Sequence, residues 1–279
     1  MITHRIIRWL SILFLLGAIP LLMLAGCQSK LIYFPRPYGP ETTQMWQSRF
    51  RGEIIRYESP HGRQQAYLQG KLDAPRNLWV VCGGNGSLAL DWADWLRDHA
   101  SPEDAFLLID YPGYGANEGS PSPAKIRENL KIAIPSAWSR IGGKGAPDPS
   151  RLRFLGHSLG CAATLIAAAD FKISRGVLIS PFTSTMDMSQ AVTGLPLGFV
   201  VWHRFDNVAR LDDLAKQGPG EIIILHGVKD EVIPVEMGRT LAGRHPEMVR
   251  LIEVPDAYHN NIQQDHADLL ARALDEVAK

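Results

Sequence analysis

The sequence predicts an α/β fold with a mostly parallel central sheet flanked by helices, and three observations carry that expectation. Short apolar runs at residues 78–82, 105–110, 152–156, 176–180, 221–226 and 249–254 alternate with longer amphipathic or Ala-rich stretches. Continuous apolar runs of that length suit strands covered on both faces, with the helices in the crossovers. Glycine clusters follow two of the runs directly, Gly83-Gly84-Asn85-Gly86 and Gly156-His157-Ser158-Leu159-Gly160. The second cluster leads into an Ala-rich run, so it reads as strand, sharp turn and helix. At 279 residues and 46% apolar content the chain can bury the core of one sizeable domain. Its formal net charge is zero, so electrostatics gives no reason to expect a nucleic-acid partner.

The first 26 residues stand apart. Arg5 and Arg8 precede an uncharged apolar stretch at 9–24, which closes with Leu24-Ala25-Gly26-Cys27. A charged region, an apolar region and a small-residue site in that order make an export signal. The stretch also lies near the lower length limit for a span, so an uncleaved anchor is the alternative. The Leu-Ala-Gly-Cys ending resembles the lipobox of bacterial lipoproteins. That resemblance implies cleavage before Cys27, lipidation of Cys27 and attachment to a membrane through it. Gln28 in the next position implies the outer membrane, facing the periplasm. Cys82 and Cys161 are the other two cysteines; each reads as a small buried hydrophobe, with pairing between them left open.

Residues 27–47 are rich in Pro and aromatic side chains and predict an extended tether that packs onto a domain at 48–279. Runs at 53–58 and 66–72, separated by Pro60, His61 and Gly62, predict an opening hairpin. After the strand at 78–82, the glycine cluster predicts exposed backbone N–H groups, with Ser87 capping a helix that carries Leu88, Trp92, Trp95 and Leu96 on one face. The cluster lacks the lysine and spacing of a P-loop. Tyr111 and Tyr114 sit in a Gly/Pro turn after the fourth strand, either on a pocket rim or as turn residues. Residues 123–140 predict a helix, with a kink or restart at Pro135. The excursion at 181–220, between the sixth and seventh strands, predicts a small cap. Its Met186, Met188, Leu195, Leu197, Phe199, Val200, Val201 and Trp202 suit either a cover over an apolar acyl group or a stripe packed on the sheet.

A serine with a glycine two residues to each side suits a tight strand-to-helix turn that pushes its hydroxyl out of the sheet edge. Ser158 is therefore the candidate nucleophile. Asp230 follows the strand at 221–226, and His259 follows the strand at 249–254. Serine, acid and histidine in that chain order, each after a strand, form a triad in which His259 takes the serine proton and Asp230 orients the imidazole. Glu231 and Asp256 are competing acids. His157 is expected to point away from Ser158, and His226 to pack beneath the site. The N–H groups of Asn85 and Leu159 are the candidate oxyanion donors. No metal-ligand cluster or cofactor motif is present, so no cofactor is expected.

The elbow at 156–160, the loop at 83–86, the acid loop at 226–234 and His259 together resemble the α/β-hydrolase superfamily. Phe34-Pro35, Asn85-Gly86 and Arg204-Phe205-Asp206 are most similar to its small membrane-associated serine hydrolases, the group that contains protein depalmitoylases. One departure is visible. Relatives commonly carry His-Gly where this chain has Gly83-Gly84. The resemblance implies hydrolysis of a carboxylic ester or thioester through an acyl-enzyme, with a small-molecule or lipid-like acyl substrate. A peptidase or amidase using the same triad, or a non-catalytic envelope lipoprotein, are the alternatives. Oligomeric state is not legible in the sequence.

Overall fold

The computed structural model describes residues 28–279; the expected signal segment and Cys27 lie outside the described residues. Eight strands form one sheet: β1 (Glu53–Ser59), β2 (Gly62–Gly70), β3 (Leu78–Cys82), β4 (Ala105–Ile109), β5 (Leu152–His157), β6 (Arg175–Ile179), β7 (Glu221–Gly227) and β8 (Val249–Val254). Their order across the sheet is β1-β2-β4-β3-β5-β6-β7-β8. β1 and β2 pair antiparallel, as do β2 and β4, and every pairing from β4 onward to β8 is parallel. The opening hairpin turns through Pro60 and His61, because Ser59 pairs with Gly62. Its second strand therefore begins earlier and ends earlier than the apolar run at 66–72 predicts.

The five residues of β3 and of β4 are all buried, which is why these strands read as continuous apolar runs. Helices cover both faces. On one face lie α3 (Pro123–Arg140), α4 (Leu159–Phe171), α6 (Asn207–Gln217) and α7 (Val235–Arg244), whose Ile126, Leu165, Leu211 and Leu241 join one core cluster. On the other lie α1 (Thr42–Phe50), α2 (Ala93–His99) and α9 (Ala267–Ala278), which bring Trp46, Leu96 and Leu274 to a second cluster. The chain turns from β3 outward to β4 and back past β3 to β5, so β3 and β5 are neighbours at the point where the winding reverses. Cys82 pairs with Gly156, and the two loops that follow leave the sheet side by side.

Several expectations are corrected. The segment at 27–47 is not extended throughout: α1 begins within it at Thr42, and Trp46 is buried there against Tyr67. Pro135 neither ends nor restarts α3, which runs unbroken. The hydrogen bond that proline removes belongs to the carbonyl of Lys131, an exposed residue whose carbonyl water can reach. Ser87 caps no helix. The first turn there is a 3-10 helix at Ala89–Trp92, and the Asp91 carboxylate accepts from the Leu88 N–H at 2.8 Å. The final helix is two pieces, α8 (Ile262–Asp265) and α9, with His266 at the break in a non-helical conformation rather than on the apolar face. Cys82 and Cys161 are both free and buried, and Cys161 Sγ donates to the carbonyls of Gly156 and Ile179.

Candidate active site

The elbow is built by exclusion of side-chain volume. A Cβ on Gly160 would lie 1.9 Å from the carbonyl oxygen of Cys82, and one on Gly156 would lie 2.6 Å from Thr164 Oγ1 and 2.7 Å from Cys161 Cα. Glycine at both places lets α4 start directly against β3 and β5. Ser158, between them, has φ 53° and ψ −117°, outside the conformations an L-residue ordinarily adopts. The surroundings over-determine it: its N–H donates to the Ile179 carbonyl at 2.9 Å and its own carbonyl accepts from Cys161 at 3.0 Å. Its hydroxyl stands at the carboxyl edge of the sheet, with the residue 8% exposed.

Asp230 and His259 come to that hydroxyl from two other loops. His259 Nε2 lies 3.1 Å from Ser158 Oγ. On the other side of the ring, His259 Nδ1 lies 2.8 Å from Asp230 Oδ2 and 3.1 Å from Oδ1. A carboxylate only accepts, so Nδ1 carries the hydrogen and Nε2 is left to accept from the serine hydroxyl. Burial alone would raise the Asp230 carboxyl. Hydrogen bonds from His226 and His259 and from the Ile233 N–H outweigh it and hold the group well below the usual carboxylate range. The Val232 and Ile233 N–H groups donate to Asp230 Oδ1 at 2.9 and 2.7 Å. The acid is thus a fixed negative charge against the imidazole.

The competing residues take other places. Glu231 accepts from the backbone N–H of His259 at 3.3 Å, so it steadies the histidine loop and leaves the ring to Asp230. Asp256 is 73% exposed and stands 3.6 Å from His266. His157 does not simply point away. Its ring centroid is 5.2 Å from that of His259, and its Nε2 lies 3.1 Å from the His259 carbonyl oxygen. Burial, with His259 beside it, pushes His157 down to about 4, so the ring is neutral and Nε2–H donates to that carbonyl.

Leu159 is the first residue of α4, where an N–H has no acceptor within its own helix. The loop at 83–86 lies against the elbow: a Cβ on Gly84 would be 3.5 Å from Ser158 Cβ. Asn85 turns its carbonyl outward, where it accepts from the Phe34 N–H at 3.0 Å and from the Tyr114 hydroxyl at 2.6 Å. Its side-chain amide donates to the Ile32 carbonyl at 3.1 Å.

In the cap, α5 (Thr185–Thr193) leads through a 3-10 turn at Leu197–Val200 to α6. Neither expectation for its apolar stripe holds for the whole of it. Val201 and Phe205 are buried and Met188 packs against the core, but Met186, Leu195, Phe199 and Trp202 face solvent. Asp206 is the N-cap of α6, with Oδ1 accepting from the Ala209 N–H at 2.9 Å. A groove of about 210 Å³ lies farther along α4, lined among others by Arg127, Ala162, Ile166 and Phe205, and does not include Ser158.

No family model matches the sequence. An uncharacterized protein of Mycobacterium tuberculosis is 28% identical over 238 residues, which is 84% of this chain and 81% of that protein. The human alpha/beta hydrolase domain-containing protein 17C is 27% identical over 154 residues, 55% of this chain and 44% of the relative. Among solved structures, an esterase of Pyrococcus furiosus superposes with a TM-score of 0.65 at 16% identity, covering 89% of this chain and 98% of the esterase. An alpha-beta hydrolase of Vibrio vulnificus gives 0.65 at 19% identity, covering 86% and 88%. The fold is that of the α/β-hydrolases.

In the α/β-hydrolase frame, Tyr111 and Tyr114 brace the glycine loop. Both are buried; the Tyr111 hydroxyl donates to the Gly83 carbonyl at 2.6 Å, as Tyr114 does to Asn85. His226 supports the acid, with Nε2 2.9 Å from the Ile233 carbonyl and 3.3 Å from Asp230 Oδ2. The sequence offers a pocket rim or a turn for these tyrosines, and they are instead buried against the loop. His226 stands four residues before Asp230, a spacing that could have flagged it.

Proposed function

We propose that this protein is a serine hydrolase of carboxylic esters or thioesters, working through an acyl-enzyme and anchored to the bacterial envelope by lipid on Cys27. The observation that carries the reading is the continuous hydrogen-bonded path from Ser158 Oγ through His259 to Asp230, with the hydroxyl at the sheet edge. His259 Nε2 takes the serine proton as Oγ attacks the acyl carbonyl carbon. The oxyanion that forms is held by the N–H groups of Leu159 and Asn85. The developing imidazolium is stabilised by the Asp230 carboxylate, and it returns its proton to the departing alcohol or thiol. Water then gives a proton to the same nitrogen as its oxygen attacks the acyl carbon, and the imidazolium returns that proton to Ser158 Oγ as the ester bond to the serine breaks and the acid leaves. His157 and Glu231 keep the histidine backbone in place without joining the proton path.

Esterases among the structural neighbours favour ester chemistry on this fold, and the resemblance to membrane-associated hydrolases favours an apolar acyl group. The test is labelling by a fluorophosphonate probe together with hydrolysis of p-nitrophenyl butyrate. Wild-type protein takes the probe at Ser158, and Ser158→Ala loses both the label and on the order of 10⁴-fold or more in rate. Hydrolysis by Ser158→Ala at the wild-type rate would sink the proposal. The anchor is tested separately: an alkyne fatty acid fed to expressing bacteria labels the wild-type chain and not Cys27→Ser.

A further inference from the structure

Exposed apolar side chains are not spread evenly over this protein. Among the described residues, every large one except Met45 lies in a segment that leaves the carboxyl edge of the sheet or is bonded to such a segment. Phe199 and Trp202 of the cap are 64% and 67% exposed. Val232 follows Asp230 closely, Tyr258 precedes His259, Phe34 donates its N–H to the Asn85 carbonyl, and Leu31 precedes Ile32, whose carbonyl accepts from the Asn85 side chain. A water-facing surface carries such side chains singly, and their gathering on one side marks a face that meets another apolar body. Lys229, with Nζ 5.9 Å from the Tyr258 ring, adds the long cationic side chain that suits a boundary between oil and water.

The course of the chain says which body. The Gln28 side chain is fastened to the cap: its amide donates to the Val200 carbonyl, and its Oε1 accepts from the Trp202 N–H at 2.7 Å. Tyr33 repeats the fastening, with its ring edge-on to His203 and its hydroxyl 3.2 Å from His203 Nδ1. Cys27, which carries the lipid in the proposed reading, immediately precedes Gln28. The proposed point of lipid attachment is thus the residue next to Gln28, which is bonded to Trp202 of the cap.

We propose that the face carrying Ser158 docks directly on a lipid bilayer, with Phe199 and Trp202 of the cap seated at the headgroup boundary. Attachment and docking then act on the same side, and acyl substrates reach Ser158 from the lipid surface. Docking draws its purpose from the anchored-hydrolase reading, yet it is tested without measuring hydrolysis, so either can fail while the other stands.

The experiment uses the protein purified from bacterial membranes after expression of the full sequence carrying Trp9→Phe, reconstituted in phosphatidylcholine vesicles with brominated acyl chains. Trp46, Trp79, Trp92, Trp95 and Trp138 are buried, so Trp202 is the reporter. Quenching relative to unbrominated vesicles should be at least about twofold greater than in the Trp9→Phe/Trp202→Phe chain, as for an indole at the interface. Adding Ser158→Ala should leave that difference unchanged. Equal quenching with and without Trp202 would overturn the proposal, because contact with the bilayer would then lie with the attachment before Gln28 alone. A concentration-dependent dimer abolished by Trp202→Ser, with no quenching at residue 202, would also overturn it and assign the ridge to a second copy of the chain.

Discussion

The three loops that meet at Ser158 and the cap leave the same edge of the sheet, but they are built on opposite plans. The loops bury polar groups and pair most of them: the Asp230 carboxylate accepts from two backbone N–H groups and two histidines, and the loop at 83–86 is tied down by two tyrosine hydroxyls. The cap keeps a buried seam at Val201 and Phe205 and turns its largest apolar side chains outward. Polar atoms inside a low-dielectric interior must be paired, so the first plan fixes atoms to within a fraction of an ångström. Apolar atoms at a surface fix nothing and wait for a partner. Under the two proposals, the first plan holds the chemistry and the second meets the bilayer.

Breaking the first plan should have the larger effects. Asp230→Asn no longer forces the hydrogen onto His259 Nδ1, and kcat should fall on the order of 10⁴-fold in ester hydrolysis. Glu231→Gln keeps an acceptor for the His259 N–H and should lose less than about tenfold. Equal losses in the two variants would show that the backbone of the histidine loop matters as much as the tautomer. Gly160→Ala sets a methyl group against the Cys82 carbonyl, in a place with no side chain to move. It should cost about 3 kcal/mol in denaturant unfolding, and wild-type stability would disprove the close approach.

Asp110, buried at the end of β4, is less completely paired than Asp230. Its Oδ1 accepts from the Ala89 N–H at 2.8 Å, while Oδ2 has no hydrogen-bond partner. Burial raises its carboxyl to about 6. The folded protein therefore holds a proton that the unfolded chain releases near pH 4, and stability falls as pH rises from about 4 to 6. Asp110→Asn should remove this loss and gain about 1–3 kcal/mol at pH 7 with little gain at pH 4, read from thermal unfolding at both pH values. The smallest effect belongs to the cap, where Phe199→Ser should leave stability within about 0.5 kcal/mol of wild type. A larger loss would mean that Phe199 packs within the domain and that the contrast is less sharp than drawn.

The parts of the protein that could be read from sequence are those whose causes are local. The buried strands announce themselves by unbroken apolar runs, and the elbow by two glycines at fixed offsets. Ser158, Asp230 and His259 are readable because each follows such a run. The tyrosine braces are not, since Tyr111 reaches Gly83 only because β4 lies beside β3 across a crossover that sequence order hides. The direction of Phe199 and Trp202 escapes for another reason: an apolar residue in a short irregular segment carries no periodicity to say which side it shows. The break at His266 was hidden by apolar positions that continue a helical period straight through it.

Because Cys82 and Gly156 face each other in adjoining parallel strands, the peptides of Asn85 and Leu159 start from points one inter-strand spacing apart, about 4.8 Å. Under the proposed mechanism, the sheet then sets the gauge for the oxyanion that forms between them. Side chains around the opening can be exchanged to suit a longer, shorter or bulkier molecule without altering that gauge, so divergence in diet need not disturb the catalytic step.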